Sequence, residues 1–211
     1  QNTAYEYYVR AICTSPDVSE WIGPFEFRTI CNALPTPFIE TFDSNTTTEN
    51  CWTVVNLNND ADSWNLNYTF NPFEGNQSAI LTTDFNSGNN NDWLISPQVL
   101  LTGNQRLRYR YRVQSTGEPN DFRVMLSTTG TNPADFTETL VPLISYNNIQ
   151  YLETTVDLGN YTGIVNIAFH VPSGNIDGWR LYIDRVIIEE NPTCFEPNTI
   201  STVNTSTTSV E

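Results

Sequence analysis

Lysine is absent from the 211-residue chain, and histidine and methionine each occur once. All nine basic residues are therefore arginine, against 24 Asp and Glu, and the formal net charge is −15. Such an acidic surface repels nucleic acids and anionic membranes, so the sequence predicts no nucleic-acid partner. The same carboxylates suit solubility and also calcium, whose ligands are carboxylate and carbonyl oxygens.

Long apolar runs are missing as well. No stretch of about 18 apolar residues occurs, so we expect no membrane insertion. No secretory leader is visible, and Gln1 begins within a strand-like pattern. We therefore interpret the sequence as an internal fragment.

The four cysteines are widely spaced and contain no C-x-x-C pair. With only one histidine, His170, this spacing argues against zinc. Disulfides formed in an oxidising compartment fit better, which indicates a secreted or cell-surface protein.

Catalytic motifs are also missing. The chain has no G-x-S-x-G elbow, and no cysteine is accompanied by a plausible His/Asn set. We therefore predict no catalytic residues and no enzymatic activity. A carboxylate pair of the glycosidase type stays open, because the sequence does not show which carboxylates face each other.

Short alternating runs fill the rest of the chain. Residues 4–12 and 23–29 are rich in aromatic and β-branched side chains and predict two strands, which cannot bury a core alone. A proline-bearing connector follows at residues 32–37. Beyond it, turn residues separate ten predicted strands: 37–42, 51–56, 63–69, 78–83, 92–101, 106–114, 121–128, 150–157, 163–171 and 179–189. No convincing 3.6-residue apolar period occurs, so the sequence predicts an all-β antiparallel sandwich or jelly roll.

One strand carries an arginine ladder. Period-two alternation places Arg106, Arg108, Arg110 and Arg112 on one face of the segment RLRYRYR. We expect an exposed sheet face balanced by Asp and Glu on neighbouring strands. The alternative is an anion-binding face for sulfated or uronic polysaccharide.

Several motifs, taken in order, carry a resemblance to a known family: FIETFD, NCWTVV, NNDADSW, NDWLISPQVLL, LRYRYRV and IDRVIIEE. They resemble the MAM-like jelly rolls of cleaved-adhesin or choice-of-anchor type in Bacteroidetes secreted proteins. The flanking AYEYYVRAIC…SEWIGPFEFRTIC and CFEPNTISTVNTSTTSVE resemble the end and the start of bacterial fibronectin type III modules. We therefore expect a truncated module hairpin at 1–30, a jelly roll at 31–191, and a linker or further module start at 192–211.

The resemblance implies a modular protein, typically exported by the type IX route, whose members serve adhesion, domain spacing and substrate targeting. It implies neighbouring modules of the same polypeptide as partners, but it does not fix a ligand, for which surface glycans and host or environmental proteins are the open alternatives. We interpret the chain as a non-catalytic structural and adhesive module of a large surface adhesin or filament protein. The alternative is a carbohydrate-binding module attached to a secreted hydrolase.

The resemblance also implies a structural calcium ion. MAM-like domains bring the first strand, the loop before a characteristic tryptophan and the last strand together around calcium. Carried over by position, Glu40, Asp60, Asp62 and Asp184 are the candidate ligands, and Asp43 is less secure. The alternative is ordinary Asx turns in a polar loop.

The cysteines divide between the expected domains. Cys31 and Cys51 flank the first strand of the central domain, and we predict a disulfide between them. Cys13 and Cys194 belong to the flanking modules and should both be unpaired in this chain.

The aromatic side chains fall into two sets. We expect four tryptophans in core-like surroundings to be packed inside: Trp52, Trp64, Trp93 and Trp179. Tyr68, Phe70 and Phe73 lie in a looser polar stretch and are candidates for an exposed ligand patch.

Overall fold

The structure, a computed structural model, describes residues 3–13, 17–29, 31–84, 88–174 and 178–194. Its helical content over these ranges is two single 3₁₀ turns, Glu49–Cys51 and Pro133–Asp135. No helix there is both long and apolar enough to cross a bilayer. The predicted all-β class is confirmed. The tail, which the sequence left as a linker or further module start, lies outside the described residues from 195 onward.

Two six-stranded antiparallel sheets form a β-sandwich, and in each sheet the sixth strand lies off the main path of five. The first sheet has the spatial order β11 (Glu138–Tyr146), β10 (Asn120–Ser127), β13 (Thr162–Val171), β7 (Asp92–Ile95) and β4 (Thr53–Asn56), with β8 (Val99–Thr102) also paired to β13. The second has the order β12 (Leu152–Asp157), β9 (Gln105–Val113), β14 (Arg180–Glu190), β6 (Ser78–Thr82) and β5 (Trp64–Tyr68), with β3 (Phe38–Glu40) also paired to β14.

The core lies between the sheets, and period-two alternation supplies it. On β9 the inward side chains are Leu107, Tyr109, Tyr111 and Val113, all buried. The ring of Tyr109 meets that of Phe169 on β13 edge to face, with centroids 5.0 Å apart. Because each buried aromatic removes a large apolar area from water, these rings contribute much of the stability of the sandwich.

A β-bulge in β14 changes which residues face the core. The register with β9 shifts between Asp184 and Ile187, and Arg185 has a left-handed φ of 44°. The inward set therefore switches from Leu181 and Ile183 to even-numbered positions beyond the bulge. β6 pairs with β14 before the bulge and β3 pairs with it after the bulge.

Two departures from the predicted strands have the same cause, proline. The run 92–101 is two strands rather than one, because Pro97 cannot donate to a ladder and separates β7 from β8. The strand β11 was not predicted at all; its sequence contains Pro142. β11 lies at a sheet edge, and its register with β10 shifts opposite Arg123, where proline is tolerated.

The first two strands, β1 (Ala4–Val9) and β2 (Ile22–Arg28), form a separate two-stranded sheet. Every residue of both strands is exposed. Cross-strand aromatic pairs line one face: Tyr5 stacks on Phe27 and Tyr7 meets Phe25 at a tilt, each pair with ring centroids 5.3 Å apart. This hairpin is an exposed apolar surface beside a complete sandwich.

A disulfide joins Cys31 to Cys51, with the Cα atoms 5.7 Å apart, and the predicted pairing is present. It ties the connector before β3 to the turn before β4. The connector is also held on β8, because Leu34 donates its N–H to Gln98 and accepts from the N–H of Leu100. Cys13 and Cys194 are free and exposed, as expected.

Replacing Cys31 and Cys51 together with serine is expected to lower the free energy of unfolding. The closed loop has a sequence separation of 20, and chain-entropy arguments for a loop of this size give about 3 kcal/mol. Urea denaturation of the 211-residue chain measures the difference. The matched control is Cys13→Ser at an exposed free thiol, for which we expect a change below about 0.5 kcal/mol. Equal losses in both variants would contradict a stabilising role for the crosslink.

Candidate functional site

The outward face of the second sheet carries the arginine ladder, and at one end the arginines are ion-paired. Arg106 contacts Glu189 on β14 at 2.7 Å, and Arg108 contacts Glu153 on β12 at 2.8 Å. Arg110 shares Glu153 at 2.9 Å. Burial opposes ionisation of Glu189, but hydrogen bonds from Arg106 and Arg108 hold its pKa below the usual value. The expected balance by neighbouring carboxylates is therefore present for three of the four arginines.

The fourth arginine, Arg112, is bound differently. Its side chain is only 5% exposed, and it makes no ion pair with any carboxylate in the described part of the chain. The guanidinium carbon lies 3.7 Å from the ring centroid of Tyr182 and 5.3 Å from that of Tyr151. Nη1 donates to the carbonyl of Val113 at 3.3 Å, whereas Nη2 is buried without a hydrogen-bond partner.

The same pattern continues away from Arg112. Tyr182 meets Tyr68 edge to face at 6.0 Å, and Arg180 donates Nη1 to the Tyr68 hydroxyl at 2.9 Å. The guanidinium of Arg180 lies 4.2 Å from the ring of Trp179. We call this row of aromatic rings and guanidinium groups the Arg–aromatic strip. It consists of Tyr151, Arg112, Tyr182, Tyr68, Arg180 and Trp179.

The burial predicted for one member of the strip, Trp179, is wrong. Trp179 is 39% exposed, whereas Trp52, Trp64 and Trp93 are buried as expected. The apolar run that follows it suggested a core position, but β14 begins only at Arg180. Trp179 precedes the strand and lies against Arg180 instead of the core.

The predicted aromatic patch is divided. Tyr68 is half-buried within the strip, and Phe73 is 36% exposed and meets Tyr151 at 5.6 Å, with Arg110 4.5 Å from its ring. Phe70 is 56% exposed. Tyr68 and Phe73 thus contact opposite ends of the Tyr182–Arg112–Tyr151 row, and a single patch formed by all three residues stays a prediction.

Glu40, the first calcium candidate, is completely buried. Its Oε1 accepts the Phe42 N–H at 2.8 Å, and its Oε2 accepts from Thr48 Oγ1 at 2.7 Å and Trp52 Nε1 at 3.1 Å. The carboxylate therefore fixes the turn after β3 and the ring of Trp52.

Asp184 is also buried, on the last strand. Its two oxygens accept the N–H groups of Phe73 and Arg185, each at 2.7 Å. Burial raises the pKa of Asp184 to about 7, although these hydrogen bonds act in the opposite direction. Asp43, the less secure candidate, accepts the N–H groups of Asn76 and Gln77 at 2.5 and 3.3 Å.

Asp60 and Asp62 lie in the loop between β4 and β5. Asp60 Oδ1 accepts the Asp62 N–H at 3.0 Å. This is an Asx turn, the alternative to a calcium site that the sequence left open. Both aspartates interact electrostatically with Asp92, a buried residue on β7 whose Oδ1 lacks a hydrogen-bond partner. Burial, with charge repulsion from Asp60 and Asp62, raises the pKa of Asp92 to about 7.

The four calcium candidates do not come together as one site. Across the described ranges, no group of three or more His, Cys, Asp or Glu side chains is placed to hold a metal ion. Glu40 and Asp184 direct their oxygens at hydrogen-bond donors, whereas Asp60 and Asp62 are coupled to Asp92. The predicted ligand set does not fit this arrangement, and calcium binding itself stays a prediction.

His170 belongs to a buried network that the sequence did not indicate. Its ring stacks on Trp93 with centroids 3.7 Å apart, and Nδ1 accepts from Arg123 Nε at 3.0 Å. Nε2 pairs with Asn91 Oδ1 at 3.0 Å. Burial, and then the charge of Arg123, lower the pKa of His170 to about 3. A histidine held neutral in this way has a structural role.

A cleft of about 350 Å³ lies beside the disulfide. Its wall includes Trp52, Gln98 and Asn166 together with both disulfide cysteines, and carries no Asp, Glu or His. The cleft therefore offers no side chain for general acid–base catalysis.

Comparison with known proteins gives consistent relatives. The family model described as Cleaved Adhesin Domain matches residues 36–188. Hemagglutinin A of Porphyromonas gingivalis is 28% identical over 176 residues, which is 71% of this chain but only 7% of that protein's length. The K1 cleaved adhesin domain of Lys-gingipain from P. gingivalis W83 superposes with a TM-score of 0.59 at 19% identity, covering 74% of this chain and 99% of that one. The K2 domain of Lys-gingipain gives 0.58 at 25% identity, covering 72% and 99%.

Glu40→Gln is expected to lower the free energy of unfolding by about 2 kcal/mol, because charge-assisted hydrogen bonds are lost and the amide turns a donor toward a donor. We expect the same loss in excess EDTA and in excess CaCl₂, since the role of Glu40 does not need a metal. Urea denaturation in both solutions measures it. Glu138→Gln, on the exposed face of β11, is the control. A loss confined to the calcium solution would show that Glu40 is a ligand after all.

The imidazole of His170 should stay neutral in the folded chain as the pH falls to about 4. Because the folded pKa is depressed to about 3 and the unfolded value is about 6.5, the unfolded state gains a proton first. The associated stability is present above about pH 6.5 and is lost as the pH falls toward 3. NMR titration of the only imidazole in the chain checks this, with the urea-denatured chain as internal reference. A folded-state midpoint near that of the reference would disprove the buried network.

Proposed function

The chain belongs to the Cleaved Adhesin Domain family, and from this membership we propose that it is a non-catalytic structural and adhesive module of a large, modular, secreted surface protein. The observation that carries the proposal is the match over residues 36–188, which includes nearly all of the sandwich. Hemagglutinin A is the name of a relative of which this chain spans about 7%. This small share of the relative's length is consistent with a chain that is one module of a much larger protein.

A role without catalysis is supported by how the ionisable groups are used. Glu40 and Asp184 hold turns through backbone and side-chain hydrogen bonds, and Glu153 and Glu189 neutralise arginines. His170 is buried and neutral at physiological pH. None of these groups is free to move a proton on a bound substrate.

The modular arrangement is part of the proposal. The β1–β2 hairpin exposes aromatic rings that two strands alone cannot bury, and we assign residues 1–30 to the last hairpin of a fibronectin type III module. Residues 31–191 then form the MAM-like jelly roll, beginning where the disulfide and Leu34 attach the connector to the sandwich. Residues 192–211 are assigned to a linker or the start of a further module.

A carbohydrate-binding module attached to a secreted hydrolase is the second candidate. The Arg–aromatic strip favours it, because an exposed tryptophan beside a guanidinium is a suitable surface for a sugar. The two candidates differ in what the module serves: attachment of a cell or filament in the first, and delivery of an enzyme to its polymer in the second.

The adhesive role is tested with beads coated with the 211-residue chain. Beads present many copies, so weak contacts add through avidity. We expect coated beads to be retained on erythrocyte and epithelial layers more than beads coated with an unrelated β-sandwich of similar net charge. The soluble chain should compete with the beads.

Parallel incubation of the chain with polysaccharides and denatured proteins should release no reducing ends or peptides. Turnover that is lost when one carboxylate is replaced would contradict the non-catalytic part of the proposal. Retention equal to that of the control beads would contradict the adhesive part.

A further inference from the structure

Among the arginines of the second sheet, Arg112 and Arg180 stand apart because they have no carboxylate partner within the described part of the chain, whereas Arg106, Arg108, Arg110 and Arg185 are ion-paired. The chain carries 24 acidic residues against nine arginines, so a counter-ion is the expected state for a guanidinium. Both lie on aromatic rings instead, Arg112 on Tyr182 and Arg180 on Trp179. The second sheet therefore has a neutralised end at Arg106 and Arg108 and a positive end at the strip.

From this arrangement we infer that the Arg–aromatic strip binds acidic glycans, with a uronate carboxylate on Arg180 and the face of a pyranose ring on Trp179. The inference rests on the proposed adhesive function and names its ligand class. A planar guanidinium matches a carboxylate through two parallel hydrogen bonds. An aromatic face carries negative partial charge, so the weakly positive C–H bonds of a sugar ring lie favourably against it.

The strip is already in position before any ligand arrives. Arg180 is held by the Tyr68 hydroxyl at 2.9 Å and by the ring of Trp179, and its Nε is buried without a hydrogen-bond partner, so a carboxylate would meet the Nη end of the guanidinium. Below it, Tyr182 is completely buried and donates its hydroxyl to Gln114 Oε1 at 2.6 Å. Because the contacting groups are fixed by strands and stacked rings, little side-chain entropy is lost on binding.

Buried Arg112 adds positive potential within the strip. It is 5% exposed and packs against the rings of Tyr182 and Tyr151, and charges in such surroundings are screened less than exposed ones. The overall net charge of −15 repels a polyanion at a distance, but salt screens that repulsion beyond about 8 Å. Within contact distance, Arg112 and Arg180, which have no carboxylate partner in the described part of the chain, favour an anion.

Calorimetric titration of the full 211-residue chain with oligogalacturonate is the test. We expect binding that weakens as salt is raised and that weakens about tenfold or more when the carboxylates are methyl-esterified. Arg180→Gln and, independently, Trp179→Ala should each weaken binding to a similar degree. Both side chains are at least partly exposed, and circular dichroism verifies that each variant is folded.

Arg106→Gln is the matched control, because it removes one charge from the paired end of the same face. It should leave the affinity within about twofold of the wild type. Absence of oligogalacturonate binding, equal affinity for the methyl ester, or an equal loss in Arg106→Gln would each overturn the inference. Binding of neutral xylo-oligosaccharide instead, lost in Trp179→Ala alone, would also overturn it and favour the carbohydrate-binding candidate.

The adhesive function is judged separately. If beads coated with the Arg180→Gln variant adhere as well as wild-type beads, adhesion stands and the strip is not its site. If wild-type beads fail to adhere while oligogalacturonate binds at the strip, the adhesive proposal fails and the glycan site stands on the titration alone.

Discussion

The antiparallel ladder between β9 and β14 runs through the middle of the second sheet, and both faces of that sheet depend on it. On the inner face it places Tyr109 and Ile183 in the core. On the outer face the same register sets Tyr182 opposite Arg112 and Glu189 opposite Arg106. The bulge at Arg185 makes both arrangements possible, because it lets β14 keep apolar residues inward on each side of Asp184.

The outer face shows how one repeated residue acquires two roles. The arginines of β9 have the same spacing and the same orientation, so their strand alone does not distinguish them. Their neighbours do: Glu153 and Glu189 face the first three, whereas Tyr151, just before β12, and Tyr182 face Arg112. The division between a neutralised end and a positive end thus comes from β14, from β12 and from the residue that precedes β12.

The sequence predicted those features that a local period encodes. Alternation in β9 identified both the buried tyrosines and the outward arginines. The positions of Cys31 and Cys51 on either side of β3 identified their disulfide. Prediction from the sequence failed where the place of a segment in the sheet decides: Pro142 concealed an edge strand, and Trp179 is exposed because β14 begins only at Arg180. The calcium candidates failed to assemble for the same reason, since the fold gave Glu40 its own donors in Thr48 and Trp52.

The disulfide also determines how the module would respond to tension. The first strand of the sandwich is β3 and the last is β14. These two strands are antiparallel neighbours, paired from Phe38 opposite Ile188 to Glu40 opposite Val186. Force applied to the two ends of the sandwich would break the hydrogen bonds of such a pair one after another. The bond between Cys31 and Cys51 diverts the load past residues 32–50, so force reaches the folded body at β4, in the opposite sheet. The short strand β3 therefore carries little of the force, and the interior strands of the sandwich resist it instead.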